Sequence, residues 1–292
     1  MPIQEPLKSG AKGIEVKNIQ EQLLALGYAL PRFGVDSDLG DETLAAFGAF
    51  LVTVGLREPG DEIPDSITVA DAAALDKAYQ ALQQQVPTAG IIDERAKHPH
   101  SGRSVSMPYR TWSNVTAIVL HQTATKMGEK ASAWHRVPIH FGVTRAGKIY
   151  QLYELTEVCN HAGNFNRSSV GIEIDGWFSG IEGQFDTLWQ PGGPGPKRQP
   201  MDLPAVQAEA VKTAVRWIVD AVAANGGKIT HIHPHRQASS ARQSDPGSLI
   251  WKTVGLWAKM TFNLDDGGKN FTVGDGLKIP EAWDSQYVGN KY

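Results

Sequence analysis

The sequence predicts a mixed α/β domain preceded by a small domain of three helices. Two observations carry this prediction. After residue 109, short β-branched apolar runs alternate with helical patterns, an order that is typical of mixed α/β folds. Before residue 88, the apolar residues recur at helical spacing. The 292 residues suffice for two such domains, each with a buried core of its own.

The first domain is predicted over residues 1–88. Its helices are expected over residues 14–27, 42–54 and 69–84. Gly27 follows the last apolar residue of the first helix and predicts its end. Thr68 and Asp71 stand at capping-box positions before the third helix. These signals define a compact helical unit.

The remainder divides into a linker, a second domain and a tail. Residues 89–108 are rich in Pro, Gly and Ser and are predicted to be the linker. The second domain is predicted over 109–262, and the polar, turn-rich stretch 263–292 is expected to be a C-terminal tail without an assigned role. Within the second domain the elements expected are strands at 115–121, 170–175 and 228–235, a hairpin at 139–153 and a helix at 204–227.

Charge and composition exclude several classes of protein. Residues 1–88 carry 6 basic and 13 acidic side chains, a net charge of −7 that is unsuited to nucleic acid. Residues 89–292 carry 22 and 18, a net charge of +4 that is too weak to argue for it. No apolar run approaches the roughly 18 residues of a membrane span. The single cysteine, Cys159, leaves His and carboxylate side chains as the ligands for any zinc ion.

Histidines and one aspartate near strand ends indicate a metal site. His121 ends the first apolar strand, and Asp245 lies ten residues after His235. His231, His233 and His235 alternate, so all three can face the same side of a strand. Two imidazoles and one carboxylate are the three-ligand set that catalytic zinc uses, with a fourth position open for water. Spacing alone leaves open which of the three alternating histidines is the ligand.

Four motifs in order resemble one known family. They are "AIVLHQTAT", "HFGVTRAGKIYQL", "NHAGNFNRSSVGIEIDG" and "HRQASSARQSDPG". Together, over roughly residues 109–260, they resemble the zinc-dependent type 2 N-acetylmuramoyl-L-alanine amidases, which are related to phage amidase lysozymes and peptidoglycan recognition proteins. The resemblance implies a central mixed β-sheet flanked by helices, and Zn²⁺ as the cofactor.

The resemblance also assigns roles to particular residues. It implies that His121, His235 and Asp245 hold the zinc ion, with His233 as the fallback if Pro234 breaks the strand. The glutamate of the "GIE" strand, here Glu173, corresponds to the family's general base. A carboxylate near a metal suits the transfer of a proton from water to a leaving amine.

One position departs from the family. Many members have a lysine two residues before the third ligand, where this chain has Gln243, with Arg242 beside it. Glutamine donates a hydrogen bond but brings no charge, so Arg242 is a candidate to replace the lysine. His140 and His161 lie in motifs that often carry histidine in the family, and they are candidates for contacting substrate or supporting the ligands.

The first domain has a resemblance of its own. Over roughly residues 6–60, "LKSGAKGIEVKNIQEQLLALGY" and "GVDSDLGDETLAAFGAF" resemble a three-helix peptidoglycan-binding domain. The loop "DSDLG" differs from the usual "DG-x-FG". Because the domain is acidic, recognition of an anionic wall polymer has to depend on local hydrogen bonds and apolar contacts. The two resemblances together imply peptidoglycan as the partner.

The expected function is hydrolysis, with zinc-activated water, of the amide between the lactyl group of N-acetylmuramic acid and L-alanine. A non-catalytic peptidoglycan-recognition module, a zinc peptidase acting within the stem peptide and a particle adaptor are the alternatives. The N-terminus lacks the apolar segment of a signal peptide. We therefore expect synthesis in the cytoplasm and delivery to the wall by another system, as for a phage endolysin or an injected effector. A wall-remodelling or muropeptide-recycling enzyme of the host is the further alternative, although the wall-binding domain argues against recycling in the cytoplasm. The preferred stem peptide and the oligomeric state stay open.

Overall fold

The computed structural model describes residues 3–28, 30, 32–85, 90–188 and 199–292. The contacts divide the chain into two compact units, Met1–Val86 and Pro87–Tyr292. Each unit has a hydrophobic core of its own. Among the described residues, the structure has no helix that is both long and apolar enough to cross a membrane.

The first unit consists of three helices and a short antiparallel strand pair. Its elements are β1 (Leu7–Lys8), α1 (Ile14–Ala25), α2 (Asp41–Thr53), β2 (Ser66–Ile67) and α3 (Val69–Gln85). The three helices predicted from the apolar spacing are therefore present. Thr68 caps α3, since the Asp71 amide donates to Thr68 Oγ1 at 3.1 Å, and the Thr68 hydroxyl in turn donates to the Asp71 carboxylate at 2.7 Å.

A buried glutamine organises the loop between the first two helices. Gln20 on α1 is fully buried, and its Nε2 donates to Asp36 Oδ1 at 2.8 Å and to Thr43 Oγ1 at 3.0 Å. Its Oε1 accepts a hydrogen bond from the Ser37 amide at 2.9 Å. A buried amide must have its hydrogen-bonding capacity met, so Gln20 ties this polar loop to both helices.

The second unit is built on a six-stranded mixed sheet. In the order β10–β4–β7–β5–β6–β3, all neighbours are parallel except β5 and β6. The strands are β3 (Ile92–Asp93), β4 (Ala117–Gln122), β5 (Phe141–Val143), β6 (Ile149–Gln151), β7 (Ser169–Ile174) and β10 (His231–Pro234). A separate hairpin consists of β8 (Ser179–Ile181) and β9 (Gln184–Leu188), and a short helix, α4, spans Ala131–Trp134.

Because side chains alternate along each strand, one face of this sheet packs in the hydrophobic core and the other carries the polar candidate residues. Ile118, Leu120 and Ile172 are fully buried in the core that also contains the apolar residues of the helices. These helices are α5 (Ala205–Ala224), α6 (Ser248–Ile250), the π-helical segment Trp251–Gly255 and α7 (Leu256–Phe262). Because successive side chains point to opposite faces, His121 and Glu173 lie on the face away from that core.

The prediction of a linker at 89–108 is wrong over its described part, residues 90–108. Ile92 and Asp93 form the edge strand β3, paired with β6, and Glu94 is buried with its Oε2 2.9 Å from His135 Nε2. His98 is buried as well. The Pro, Gly and Ser content was misleading because a two-residue edge strand leaves almost no periodic signal.

The prediction of a tail at 263–292 is also wrong, since this segment belongs to the core. Ile279 and Trp283 are buried among the sheet and helix residues, and Tyr287 joins the same cluster. Tyr287 donates to Asp266, whose other oxygen lies 2.5 Å from the ammonium of Lys259 on α7. Single apolar residues separated by turns have neither helical nor strand periodicity, so the sequence pattern concealed them.

Candidate metal centre

Three side chains converge in one buried group. The ligand atoms of His121, His235 and Asp245 all lie within 4.8 Å of one another. His121 Nδ1 is 3.0 Å from His235 Nδ1, which is 2.9 Å from Asp245 Oδ2. His121 Nδ1 and Asp245 Oδ2 are 3.9 Å apart. All three side chains are less than a tenth exposed. This group can hold a metal ion.

The spacing and the chemistry of these donors both fit a cation. Bonds of about 2.0–2.1 Å in a tetrahedral site place the ligand atoms roughly 3.3 Å apart, and the three observed distances lie around that value. The donors are nitrogen and oxygen atoms aimed at one another inside the protein. A single cation between these atoms would be bonded by all three donors at once.

The sheet places two members of this group. On neighbouring strands β4 and β7, His121 is in register with Glu173. Pro234, the last residue of β10, pairs with Leu120, so His235 follows at the level of His121. His235 begins a single 3₁₀ turn, His235–Gln237. The carboxyl ends of three parallel strands therefore bring the histidines and Glu173 to one edge of the sheet.

Gln122, which was not among the candidate residues, holds the third ligand, Asp245, in place. Gln122 donates its backbone amide to Asp245 Oδ1 at 2.9 Å, which leaves Oδ2 to face His235. Its side-chain Nε2 donates to the Ser244 carbonyl at 2.5 Å, and its Oε1 accepts from the Phe178 amide at 2.6 Å. A polar residue directly after the strand-end histidine was the available signal for this bracing role.

The electrostatics keep His121 and Asp245 in their metal-binding forms. Burial lowers the pKa of His121 to about 4, and the neighbouring His235 lowers it further. Burial alone would raise the pKa of Asp245, but His235 and His121 outweigh it and hold the pKa below its ordinary value. The imidazole of His121 is therefore neutral and the carboxylate is ionised at neutral pH, as ligands must be.

Glu173 lies beside the ligand group, on the strand next to His121. In the described part of the chain, its carboxylate makes no hydrogen bond or ion pair. Burial, with a smaller contribution from the charge of Asp245, raises the pKa of Glu173, and Arg242 partly opposes this shift. A carboxylate whose proton affinity is raised toward neutral pH is suited to accepting a proton and releasing it again.

His161 is hydrogen-bonded to His121, away from the ligand group. Its Nδ1 lies 3.0 Å from His121 Nε2, and its Nε2 lies 3.2 Å from the hydroxyl of Ser169. The Ser169 hydroxyl donates to the Phe165 carbonyl at 2.7 Å. Ser169 was not selected from the sequence, where a serine at the start of a strand has no distinguishing pattern.

His140 belongs to the interior rather than to the metal group. It is fully buried, and its Nε2 donates to the Glu157 carbonyl at 3.0 Å while its Nδ1 accepts from the Gly171 amide at 3.1 Å. Its ring packs edge-on against His161, with 5.5 Å between the ring centroids. Both ring nitrogens are engaged with the backbone, so His140 supports the sheet and the His161 ring.

Arg242 and Gln243 diverge, although they are adjacent in sequence. Burial is the main influence on the pKa of both Glu173 and His121, and the positive charge of Arg242 makes a smaller contribution that favours a lower pKa at each. Gln243 instead lines a separate cavity with Arg236. Of the two candidates for the position of the family's lysine, only Arg242 therefore acts electrostatically on residues of the candidate metal centre.

The other alternating histidines do not reach the ligand group. His233 pairs with Val119 one row behind His121, and its ring stacks on Phe165 with 4.4 Å between centroids. Its Nδ1 donates to Gln237 Oε1 at 2.9 Å. His231 lies a further row back, opposite Ala117. The fallback ligand His233 is thus committed to packing.

Residues 111–248 match the family described as N-acetylmuramoyl-L-alanine amidase. The matched segment begins before β4 and extends past Asp245, so it contains the whole candidate metal centre. The similarity to this amidase family therefore lies in the second unit.

Individual proteins named as amidases or as an endolysin are similar to parts of this chain. A probable N-acetylmuramoyl-L-alanine amidase of Bacillus licheniformis is 35% identical over 75 residues, which are 25% of this chain and 21% of the relative. The chain thus matches about a fifth of that curated relative's length. An N-acetylmuramoyl-L-alanine amidase, LysC, from Clostridium intestinale has a similar structure, with 16% identity, a TM-score of 0.38 and coverage of 61% of this chain and 100% of that one. The Ph2119 endolysin, from a Thermus scotoductus bacteriophage, has 18% identity and a TM-score of 0.38, covering 58% and 99%.

Proposed function

We propose that the second unit is a zinc-dependent amidase that cleaves the bond between the lactyl group of N-acetylmuramic acid and L-alanine in peptidoglycan. The observation that carries the proposal is the group of His121, His235 and Asp245, with Glu173 in register with His121 on the next strand. The match of residues 111–248 to the N-acetylmuramoyl-L-alanine amidase family supports the choice of this bond. The site of action is then the bacterial cell wall.

The three ligands and Arg242 have distinct roles in this proposal. His121, His235 and Asp245 hold the zinc ion, which supplies a Lewis acid for the lactyl carbonyl and lowers the pKa of water. Gln122 fixes the orientation of Asp245 through its backbone amide. Arg242 contributes positive charge next to the carbonyl oxygen, where negative charge develops during attack.

Glu173 moves the proton. Its carboxylate takes a proton from the attacking water as the oxygen adds to the carbonyl carbon. It then gives that proton to the nitrogen of L-alanine as the carbon–nitrogen bond breaks, so that a lactyl carboxylate and a free amino terminus are the products. The raised pKa of Glu173 suits both steps, because the group accepts and releases a proton near neutral pH.

Incubation of the zinc-loaded chain with purified sacculi tests this proposal. We expect new free amino termini that belong to L-alanine, identified by mass spectrometry of the released peptides. Glu173→Gln should lower the rate by about 10²–10⁴-fold with zinc content unchanged, whereas His235→Ala should lose zinc and activity together. Products cut within the stem peptide would identify a peptidase instead.

The alternative function is that of a recognition module, which binds peptidoglycan without cleaving it. The observation that favours it is Gln243, which lacks the charge of the family's lysine and faces a different cavity. Sacculi that bind the chain but release no amino termini at any zinc concentration would establish this alternative. Detectable release that depends on Glu173 would exclude it.

We propose that the first unit binds peptidoglycan and holds the amidase at its substrate. Its resemblance to a three-helix peptidoglycan-binding domain and its independent core support this role. Tethering raises the effective concentration of a catalytic site at a polymer. Co-sedimentation with sacculi compares the full chain with a chain of residues 87–292, and equal binding by the two would refute the role of the first unit.

A further inference from the structure

The cavity lined by Arg236 and Gln243 lies apart from the ligand group. It encloses about 470 Å³ between the segment that follows His235 and the C-terminal segment. Its charged lining residues are Arg236, Lys278 and Lys291, and the polar side chains of Gln243 and Asn290 join them. No aspartate or glutamate of the described residues lines it. The part of the lining that the structure describes therefore contains three cationic side chains and no acidic side chain.

Arg236 provides the deepest charge in this cavity. Its side chain is only 1% exposed, yet it forms no ion pair with any carboxylate of the described residues. Its Nη1 donates to the Gln243 carbonyl at 2.5 Å, and its Nε has no hydrogen-bond partner. The guanidinium lies 5.0 Å from the ring centre of Trp283 and 5.1 Å from that of Tyr292.

Aromatic rings alone compensate little of the cost of burying a full charge. A cation–π contact contributes about 0.5–2 kcal/mol, whereas removing an ion from water costs several kcal/mol in a real protein. Buried charges are therefore normally paired with an opposite charge. Arg236 has no such partner among the described residues, and an anion in the cavity would supply one.

Two lysines add charge at the exposed edge of the cavity. Lys278 is exposed, and its ammonium donates to the neutral Asn270 Oδ1 at 2.9 Å. Lys291 is exposed and has no ion pair with the described part of the chain. Both ammonium groups are therefore available to a ligand without breaking an existing ion pair.

We propose that this cavity is a binding site for a small oxyanion, a phosphate or a carboxylate, held by Arg236, Lys278 and Lys291. Charge-assisted hydrogen bonds from guanidinium and ammonium groups suit both kinds of oxygen ligand. The site is distinct from the metal centre, because none of the three ligands His121, His235 and Asp245 lines it. It therefore stands whether or not the chain is an amidase.

Calorimetric titration of the full chain with inorganic phosphate, and separately with acetate, tests the proposal. We expect one saturable site for at least one of the two anions, weakened about tenfold or more in the double variant Lys278→Ala/Lys291→Ala. The matched control is Lys228→Ala, which removes an exposed lysine that does not line the cavity. Its affinity should equal that of the unmodified chain.

The two anions distinguish a phosphate site from a carboxylate site, and the lysine variants test whether the cavity is the binding site. Tighter binding of phosphate identifies a phosphate site, and tighter binding of acetate identifies a carboxylate site; either outcome supports the proposal. The variant Lys278→Arg/Lys291→Arg should restore binding, since it restores the charge. Absence of saturable binding for both anions, or equal affinity in the double alanine variant and the unmodified chain at equal zinc content, overturns the proposal.

Discussion

His121 Nε2 lies 3.0 Å from His161 Nδ1, and this contact determines which nitrogen of His121 carries the proton. The Phe165 carbonyl only accepts, so the Ser169 hydroxyl donates to it and in turn accepts the Nε2 proton of His161. His161 Nδ1 is then unprotonated and accepts the Nε2 proton of His121. The lone pair of His121 therefore resides on Nδ1, toward His235 and Asp245.

The first prediction concerns this relay. His161→Ala removes the acceptor for His121, and we expect zinc affinity to fall about 10–100-fold. Competition with a chromophoric chelator measures the affinity directly, without reference to activity. The matched control is His231→Ala, because His231 lies two rows behind the ligand group. Unchanged zinc affinity in His161→Ala would show that His161 does not orient the ligand.

Gly171 provides a second test, because the His161 ring occupies the space of a side chain there. A Cβ at Gly171 would lie 2.6 Å from His161 Nδ1 and 2.3 Å from Ile139 Cδ1. Gly171→Ala should therefore lower the free energy of unfolding by about 1–3 kcal/mol and weaken zinc binding. Gly90→Ala is the control, since nothing lies within 4 Å of its Cβ position. Normal stability and zinc affinity in Gly171→Ala would contradict this packing.

A third prediction separates Arg242 from Gln243 in the proposed reaction. Arg242→Ala should lower kcat on sacculi about 10²–10³-fold, because it removes charge near the developing oxyanion. Gln243→Ala should change kcat little, since Gln243 faces the other cavity. Arg242→Lys should recover part of the rate. Equal losses in the two alanine variants would refute the assignment of Arg242.

The fourth prediction concerns the buried anchor of the C-terminal segment. Burial alone would raise the pKa of Asp266, but its hydrogen bonds with Lys259 and Tyr287 outweigh this and hold the pKa below its ordinary value. A lowered pKa stabilises the fold above the unfolded-state pKa of about 3.9, and that stability is lost as the pH falls further. At pH 7, Asp266→Asn should cost about 3 kcal/mol, and the difference should shrink below about pH 4.

Tryptophan fluorescence during denaturant unfolding measures this effect. All 8 tryptophans lie after residue 111, so the signal reports on the second unit. Asp220→Asn, at an exposed position of α5, is the control and should show no such pH-dependent loss. A penalty for Asp266→Asn that is the same at pH 7 and pH 3 would argue against the ionised anchor.

The sequence alone determined the helices of the first unit, the strands that carry His121 and Glu173, and the residues of the ligand group. Each of these has a local signal. Apolar periodicity marks the elements, and a histidine or acid at the end of a buried run marks a site at a strand end. The family motifs then selected His235 from three alternating histidines, a choice that the periodicity left open.

Only the tertiary structure decided the rest. Residues 90–108 and 263–292 join the second unit through isolated contacts that have no periodic pattern, such as Ile92 in an edge strand and Trp283 in the core. The level of His235 beside His121, the relay from His161 to Ser169 and the packing of Arg236 against Trp283 and Tyr292 all depend on residues far apart in the chain. Strand register and hydrogen-bond partners across such distances are set by packing, and a one-dimensional pattern does not record them.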